Sequence, residues 1–273
     1  MARKRVTELF PFLLPLRQWQ RKKCFYGKMR LDGARYADRF SGEPLPDLIF
    51  ESALRMVNED SGFDIQYQYN KVHNLKLAAA AMDGVLIRPG ETFSFWQLAR
   101  WAERDQPYRD GLVFQQGRIV PARGGGLCML SDLLFWCFLH TPLTIVERHG
   151  HSVESFPAVM AEGQPCGTDA TISEGWRDLK VRNDTEQTFQ IEIVFDERDI
   201  TGRIRSDAPA RAQYRIYAPA PSYARRQGKV IRTAEIWREE TDRADGGQTR
   251  RRLYTDRCEI AYPLPEGTPI AEK

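Results

Sequence analysis

The stretch from Pro121 to Pro157 constrains the chain most: PARGGGLCMLSDLLFWCFLHTPLTIVERHGHSVESFP. Three consecutive glycines, Gly124, Gly125 and Gly126, precede Leu127 and Cys128, and from there an apolar run, relieved by Ser131 and Asp132, continues to Leu139. Such a run is long for a strand and suits a short buried helix. Leu130, Leu133, Leu134, Trp136 and Cys137 fall near helical spacing. Cys128 then stands in the first turn of a helix that follows a glycine loop. Unpaired backbone N–H groups at that end favour a thiolate over a thiol. The glycines permit positive φ and let another backbone, or a ligand, come close. An expected strand from Leu143 to Arg148 leads into His149, Gly150 and His151. A cysteine opening a buried helix, with histidines on a later strand, is one way to assemble a thiolate–imidazole pair. The alternative is a core cysteine, since free cysteines are among the most buried residues, beside hydrogen-bonded structural histidines.

The chain has 273 residues, 42% of them hydrophobic, enough for one large or two small domains. A net charge of +3 does not suggest a nucleic-acid binder. The charge is uneven: Met1 to Arg35 holds ten Arg or Lys against two acids. The five cysteines are odd in number, widely spaced and without a CxxC pair. They argue against a disulfide framework and a structural zinc site, and they fit a reducing compartment. No GxGxxG, P-loop or HExxH occurs, so no cofactor or metal is expected. The apolar segment Leu9 to Leu16 is eight residues long and interrupted by two prolines. It is too short to span a bilayer, and no signal cleavage site follows it. These features lead to an expectation of a cytoplasmic protein. The basic arm suits the anionic inner membrane surface; the competing reading packs it on the body through its aromatics.

In chain order, the sequence predicts a basic arm over 1–45, an α+β core over 46–207 and a β-rich extension over 208–273. One helix is expected in the arm, from about Leu16 to Met29. An apolar stripe of Leu48, Ile49, Ala53, Leu54 and Val57 predicts a helix from Leu48 to Asn58. Alternation of Phe63, Ile65, Tyr67 and Tyr69 predicts an extended segment. Asn70 to Met82 reads as a helix and Val85 to Ile87 as a strand. Arg88-Pro89-Gly90-Glu91 is a turn, and Thr92 to Trp96 reads as an aromatic strand. Glu91, between turn and aromatics, is a candidate general acid if its pKa is raised; otherwise it is a solvated turn carboxylate. Leu112 to Phe114 and Ile119-Val120 flank a turn at Gln116-Gly117-Arg118. Pro157 to Pro165 reads as a loop. Asp169 to Ile172, Asp178 to Arg182, Phe189 to Phe195 and Asp199 to Arg205 read as strands of a meander. Val230 to Arg238 and Gln248 to Leu253 flank Asp245-Gly246-Gly247 as a solvent-exposed hairpin appendage. The fold class is α+β: helices in the N-terminal half packed on a mainly antiparallel sheet, with a C-terminal β-hairpin appendage.

The succession of Lys71 to Met82, PGETFSF from Pro89 to Phe95, GGGLC from Gly124 to Cys128, Arg148 to Ser152, Asp169-Ala170-Thr171, Asp178-Leu179-Lys180 and Asn183 resembles the VanW domain. The resemblance runs from about Asn70 to Phe195, and the flanks extend it to short, single-domain VanW proteins. It implies a link to glycopeptide resistance and to peptidoglycan or its precursors, without a settled reaction. Longer relatives carry envelope modules and are exported, and a glycan-cleaving activity of the lytic transglycosylase type has been suggested for the domain. The positions carried over are Glu91, Cys128 and His151 as catalytic candidates, and Gly124, Gly125, Gly126 and Asp169 as substrate-binding candidates; His149 is a weaker one. The family's usual Gln after the cysteine is Met129 here, which removes a potential oxyanion donor. Three expectations follow: a binding protein without chemistry, a glycan-cleaving enzyme using Glu91, or a Cys128–His151 amidase or acyltransferase. The expected partners are peptidoglycan or its precursor and an anionic membrane surface, with no nucleic acid.

Overall fold

A computed structural model describes residues 11–115, 118–154 and 160–272 of the chain. The start of the basic arm, with Leu9 and Phe10, the Gln116-Gly117 turn and the first part of the Pro157 to Pro165 loop lie outside the described residues.

Helix α1 (Leu14–Leu31) leads to β1 (Arg35–Tyr36), β2 (Arg39–Phe40) and β3 (Asp47–Arg55). Helix α2 (Gln66–Ala80) precedes β4 (Val85–Ile87), β5 (Glu91–Ser94) and the short α3 (Phe95–Ala99). The hairpin β6 (Asp110–Gln115) and β7 (Arg118–Arg123) feeds α4 (Cys128–Leu139), then β8 (Thr144–Glu147) and β9 (Val153–Glu154). Strands β10 (Lys180–Arg182), β11 (Phe189–Phe195) and β12 (Asp199–Ser206) close the core. The C-terminal part adds β13 (Ala212–Tyr217), β14 (Ser222–Arg226), β15 (Lys229–Asp242), β16 (Gln248–Ile260) and β17 (Ile270–Glu272).

These strands build a mixed α+β fold. One sheet runs β1-β5-β10-β8, a second β2-β4-β11-β12-β3, and a third β17-β14-β15-β16-β9 with β13 beside β15. Most pairings are antiparallel; β1–β5, β14–β17 and β9–β16 are parallel. Helix α4 sits at the centre. Leu130, Ser131 and every residue from Leu133 to Leu139 are buried, so the helix is enclosed on most of its surface. Gly202 of β12 makes room for it: a Cβ there would lie 3.1 Å from Leu133 Cγ and 3.4 Å from Cys137 Sγ. Cys137 is thus a core cysteine, and burial pushes its thiol pKa up.

Several local expectations are corrected. Residues 48–55 form strand β3, not a helix. Ser52, Leu54 and Met56 turn inward while Glu51, Ala53 and Arg55 face out, and β3 is registered along β12 from Arg55↔Asp199 to Asp47↔Ser206. The alternation from Phe63 to Tyr69 gives way to α2 at Gln66, where the Asp64 carboxylate accepts from Gln66 N at 2.8 Å. The aromatic strand at Thr92 to Trp96 stops at Ser94. Ser94 Oγ accepts from Gln97 N at 3.1 Å, caps α3, and donates to Asp178 Oδ2 at 2.5 Å. Asp169 to Ile172 is a loop rather than a strand.

The β-rich C-terminal region is joined to the core. Its long strands form most of a six-stranded sheet, β9 from the core joins that sheet beside β16, and Ile216, Ala234 and Ile236 belong to the common buried cluster.

Candidate functional site

Cys128 is the first residue of α4, set there by the glycine loop. Gly125 packs backbone to backbone on Gly111, and a Cβ would lie 2.2 Å from Gly111 C. Asn74 Nδ2 holds this loop by donating to Gly125 O at 3.0 Å and Arg109 O at 2.9 Å. Gly126 has φ +90°, and a Cβ on it would meet Lys71 Cγ at 2.3 Å. Gly124 lies beside the Tyr108 ring. Each of the three glycines therefore has a packing or backbone reason that involves no ligand. Lys71 lies along Gly126 with its Nζ on Gln68 Oε1 at 2.7 Å, and burial brings its pKa down to about 8.

The half-buried Cys128 sulfur lies 3.6 Å from Thr171 Oγ1 and 3.9 Å from Ile172 O. The loop that carries these atoms is tied to the first turn of α4. Ala170 N donates to Asp132 Oδ1 at 2.6 Å, Ser131 Oγ donates to Ala170 O at 2.5 Å, and Thr171 N donates to His149 O at 2.7 Å.

Asp169 opens the same loop and grips His151. Its Oδ2 accepts from His151 N at 2.6 Å and from Nδ1 at 2.7 Å. The Asp169 loop thus links His151 to Thr171, whose Oγ1 lies 3.6 Å from the Cys128 sulfur. Burial disfavours the imidazolium, but the hydrogen bond with Asp169 and the neighbouring Cys128 and Asp132 outweigh it, raising the His151 pKa to about 11. Burial likewise opposes ionisation of Asp169, yet the His151 hydrogen bond and the Arg148 charge hold its pKa down at about 2. Asp132 behaves oppositely: burial, followed by the Asp169 charge against the attraction of His151, moves it up to about 7. His151 and Asp169 thus form a charged pair at the loop that reaches the Cys128 sulfur.

Arg148 supports the triad from behind. Its Nη2 reaches Asp169 Oδ1 at 2.9 Å, Nε donates to Asp169 O at 2.6 Å, and Nη1 reaches Asp256 Oδ1 of β16 at 2.9 Å. Its guanidinium also stacks over Tyr254 at 4.7 Å. Gly150 and Gly167 let this happen, since a Cβ on either would strike Asp256.

The structure thus brings Cys128, His151 and Asp169 together and leaves two candidates outside. His149 turns its Nε2 to Glu147 Oε1 at 3.0 Å. Glu91 is buried and clamped: Arg88 N donates to Oε2 at 3.0 Å, and Arg88 Nε and Nη2 reach Oε1 at 3.0 and 2.6 Å. Burial would raise its pKa, but the Arg88 hydrogen bonds and the Arg35 charge bring it below the usual carboxylate range, the reverse of the raised value expected for a general acid. Asp169 serves as the partner of the imidazole, a role the sequence did not suggest. Arg148 stands within the Arg148-to-Ser152 motif without being singled out, and Asp132 and Asp256 carry no local signal. Met129 packs half-buried against the hydrophobic core. Among the described residues no group of three or more His, Cys, Asp or Glu side chains is arranged to hold a metal ion.

The structure defines a mixed α+β protein in which Cys128 opens a buried helix and Asp169 holds His151. The family model described as VanW like protein matches residues 70–205. The chain is 49% identical over 273 residues to the Vancomycin B-type resistance protein VanW of Enterococcus faecalis, covering 100% of this chain and 99% of that one. It is also 34% identical over 122 residues to the Uncharacterized protein YoaR of Bacillus subtilis, covering 45% of this chain and 38% of that protein. No solved structure matches the chain. The chain belongs to the VanW family.

Proposed function

We propose that the protein is an accessory factor of glycopeptide resistance that acts on a peptidoglycan precursor through a Cys128 thiolate. Its full-length likeness to a Vancomycin B-type resistance protein supports the biological setting. The observation that carries the chemistry is His151, held by Asp169 at 2.7 Å on the loop whose Thr171 Oγ1 lies 3.6 Å from the Cys128 sulfur.

The reaction this geometry supports is acyl transfer. The Cys128 thiolate attacks the carbonyl carbon of a peptide amide, and the C–N bond breaks. His151 gives its proton to the departing amine, leaving a thioester on Cys128. Neutral His151 then takes a proton from water, or from an acceptor amine, as that nucleophile attacks the thioester and sulfur leaves as the thiolate, restoring the starting pair. Asp169 keeps the imidazole oriented throughout, as the third member of such groups does. The glycan-cleaving alternative loses support, because the Arg88 clamp keeps Glu91 charged and turned from solvent.

The test is incubation of the purified protein with lipid-linked or nucleotide-linked muropeptide precursors, followed by intact-mass and product analysis. An acyl adduct on Cys128, absent in Cys128→Ser, is expected. Products that form equally in Cys128→Ser, or no adduct and no product with any precursor, would overturn the thiol reading.

A further inference from the structure

One face of the molecule carries three tryptophans in water. Trp19 of α1 is 58% exposed, Trp101 after α3 is 66% exposed, and Trp176 in the turn before β10 is 62% exposed. Large apolar side chains this open are informative when they cluster. These three share one surrounding. Arg21 and Arg177 lie over the Trp176 ring at 5.6 and 4.8 Å. Arg100 lies over Trp101 at 4.8 Å and over Tyr26 of α1 at 4.7 Å. Lys23 lies over Trp19 at 5.7 Å.

The cluster is held as one surface by contacts between α1 and the 173–177 turn. Lys22 pairs with Glu174, and Tyr26 Oη donates to Glu174 Oε1 at 3.0 Å. Residues 11–31 carry six Arg or Lys and no acid. Leu16, 61% exposed, adds an aliphatic side chain one turn from Trp19. No helix of the described residues is long and apolar enough to cross a membrane.

We propose that α1, Trp101 and the Trp176 turn form a docking surface for an anionic lipid bilayer. Indole rings prefer the headgroup level, where an apolar body and a polar edge are both satisfied, and guanidinium and ammonium groups pair there with lipid phosphates. The alternation of ring and cation across this face is the complement of an anionic interface. Protein interfaces also enrich Trp and Arg but are depleted of Lys; Lys22, Lys23 and Lys28 in an α1 that has no acid favour an anionic bilayer. Docking has a consequence for the site. The same loop runs from Thr171 and Ile172, against the Cys128 sulfur, into the Trp176 turn, so an anchored turn brings the thiol close to membrane-tethered substrate. Only this consequence rests on the thiol reading; docking itself does not.

The test is co-sedimentation of the full chain with phosphatidylglycerol vesicles and with phosphatidylcholine vesicles, at low and high salt. The wild type should bind phosphatidylglycerol, release at high salt and ignore phosphatidylcholine. Trp19→Ala with Trp176→Ala should weaken binding by about tenfold, and Arg21→Glu with Lys23→Glu by at least as much. The Trp19→Gln variant alone, at an exposed position, serves if the double alanine variant fails to fold. Cys128→Ser should bind like the wild type, which separates docking from catalysis. Absence of binding, equal binding to phosphatidylcholine, or wild-type binding by folded variants would overturn the proposal.

Discussion

At the scale of single residues, two carboxylates of similar sequence character end in opposite roles because of what surrounds them. Asp169 meets an imidazole and a guanidinium and holds both in place. Glu91 meets a guanidinium and a backbone N–H at the mouth of a tight turn and becomes a brace for that turn. Both are held in the charged form; what differs is the neighbour, a proton-carrying imidazole at Asp169 and a guanidinium at Glu91. Glu91→Gln should therefore act on stability. Loss of a charge-assisted network at a buried carboxylate costs roughly 1.5–3 kcal/mol, readable as a lower denaturant midpoint, while Cys128 alkylation stays at the wild-type rate. A folded Glu91→Gln protein with wild-type stability and lost activity would contradict this assignment.

At the scale of elements, α4 explains why part of the site was legible in the sequence and part was not. Its glycine loop and dense apolar run fix both ends of the helix, and the observed Cys128–Leu139 agrees with the sequence reading. Cys128 and His151 follow from that placement. The Asp169 loop does not, because it is defined by long-range hydrogen bonds to Asp132, Ser131 and His149 that have no local pattern. The same holds for β3: the stripe at Leu48, Ile49 and Leu54 satisfies helical spacing, and only pairing with β12 selects the extended form. The far end of α4 also carries a titration. His140 stacks on Phe50 of β3 at 3.8 Å, and its Nδ1–H donates to Trp136 O at 3.0 Å. Burial, with a further push from Arg238, lowers its pKa from 6.5 to about 4 despite that hydrogen bond. A depressed histidine pKa means the folded state binds fewer protons. The contribution of His140 is then fully present above pH 6.5 and is lost as pH falls through about 4. Thermal unfolding between these limits should show the wild type losing stability more steeply than His140→Phe. Parallel curves for the two proteins would remove His140 as the cause.

At the scale of the whole molecule, the third sheet reaches the site through charge. Asp256 of β16 holds Arg148, Arg148 holds Asp169, and Asp169 holds His151. On the other side Arg232 of β15 binds Glu154 of β9 at 2.7 Å. A buried ion pair broken on one side leaves the other charge unpaired, at a cost of about 3–5 kcal/mol. Asp256→Ala should accordingly lower stability by that order and also slow Cys128 alkylation, because Arg148 is freed from its place behind Asp169. Unchanged Cys128 reactivity in a folded Asp256→Ala protein would confine the third sheet to a structural role. The sequence shows the charged outer faces of this C-terminal region but not these ion pairs, which have no local pattern.

The account turns on the Cys128–His151 pair, and native-state alkylation tests it most directly. The rate of iodoacetamide labelling at each cysteine is followed by mass spectrometry in the folded wild type and in His151→Ala. Cys137 and Cys258 are buried with pKa values pushed up, Cys258 to about 12, and serve as inert internal references. Cys128 should label at least about tenfold faster than either, and His151→Ala should slow it by about tenfold or more through loss of the imidazolium. A Cys128 that labels only on unfolding, or one whose rate is unmoved by His151→Ala, would contradict the account.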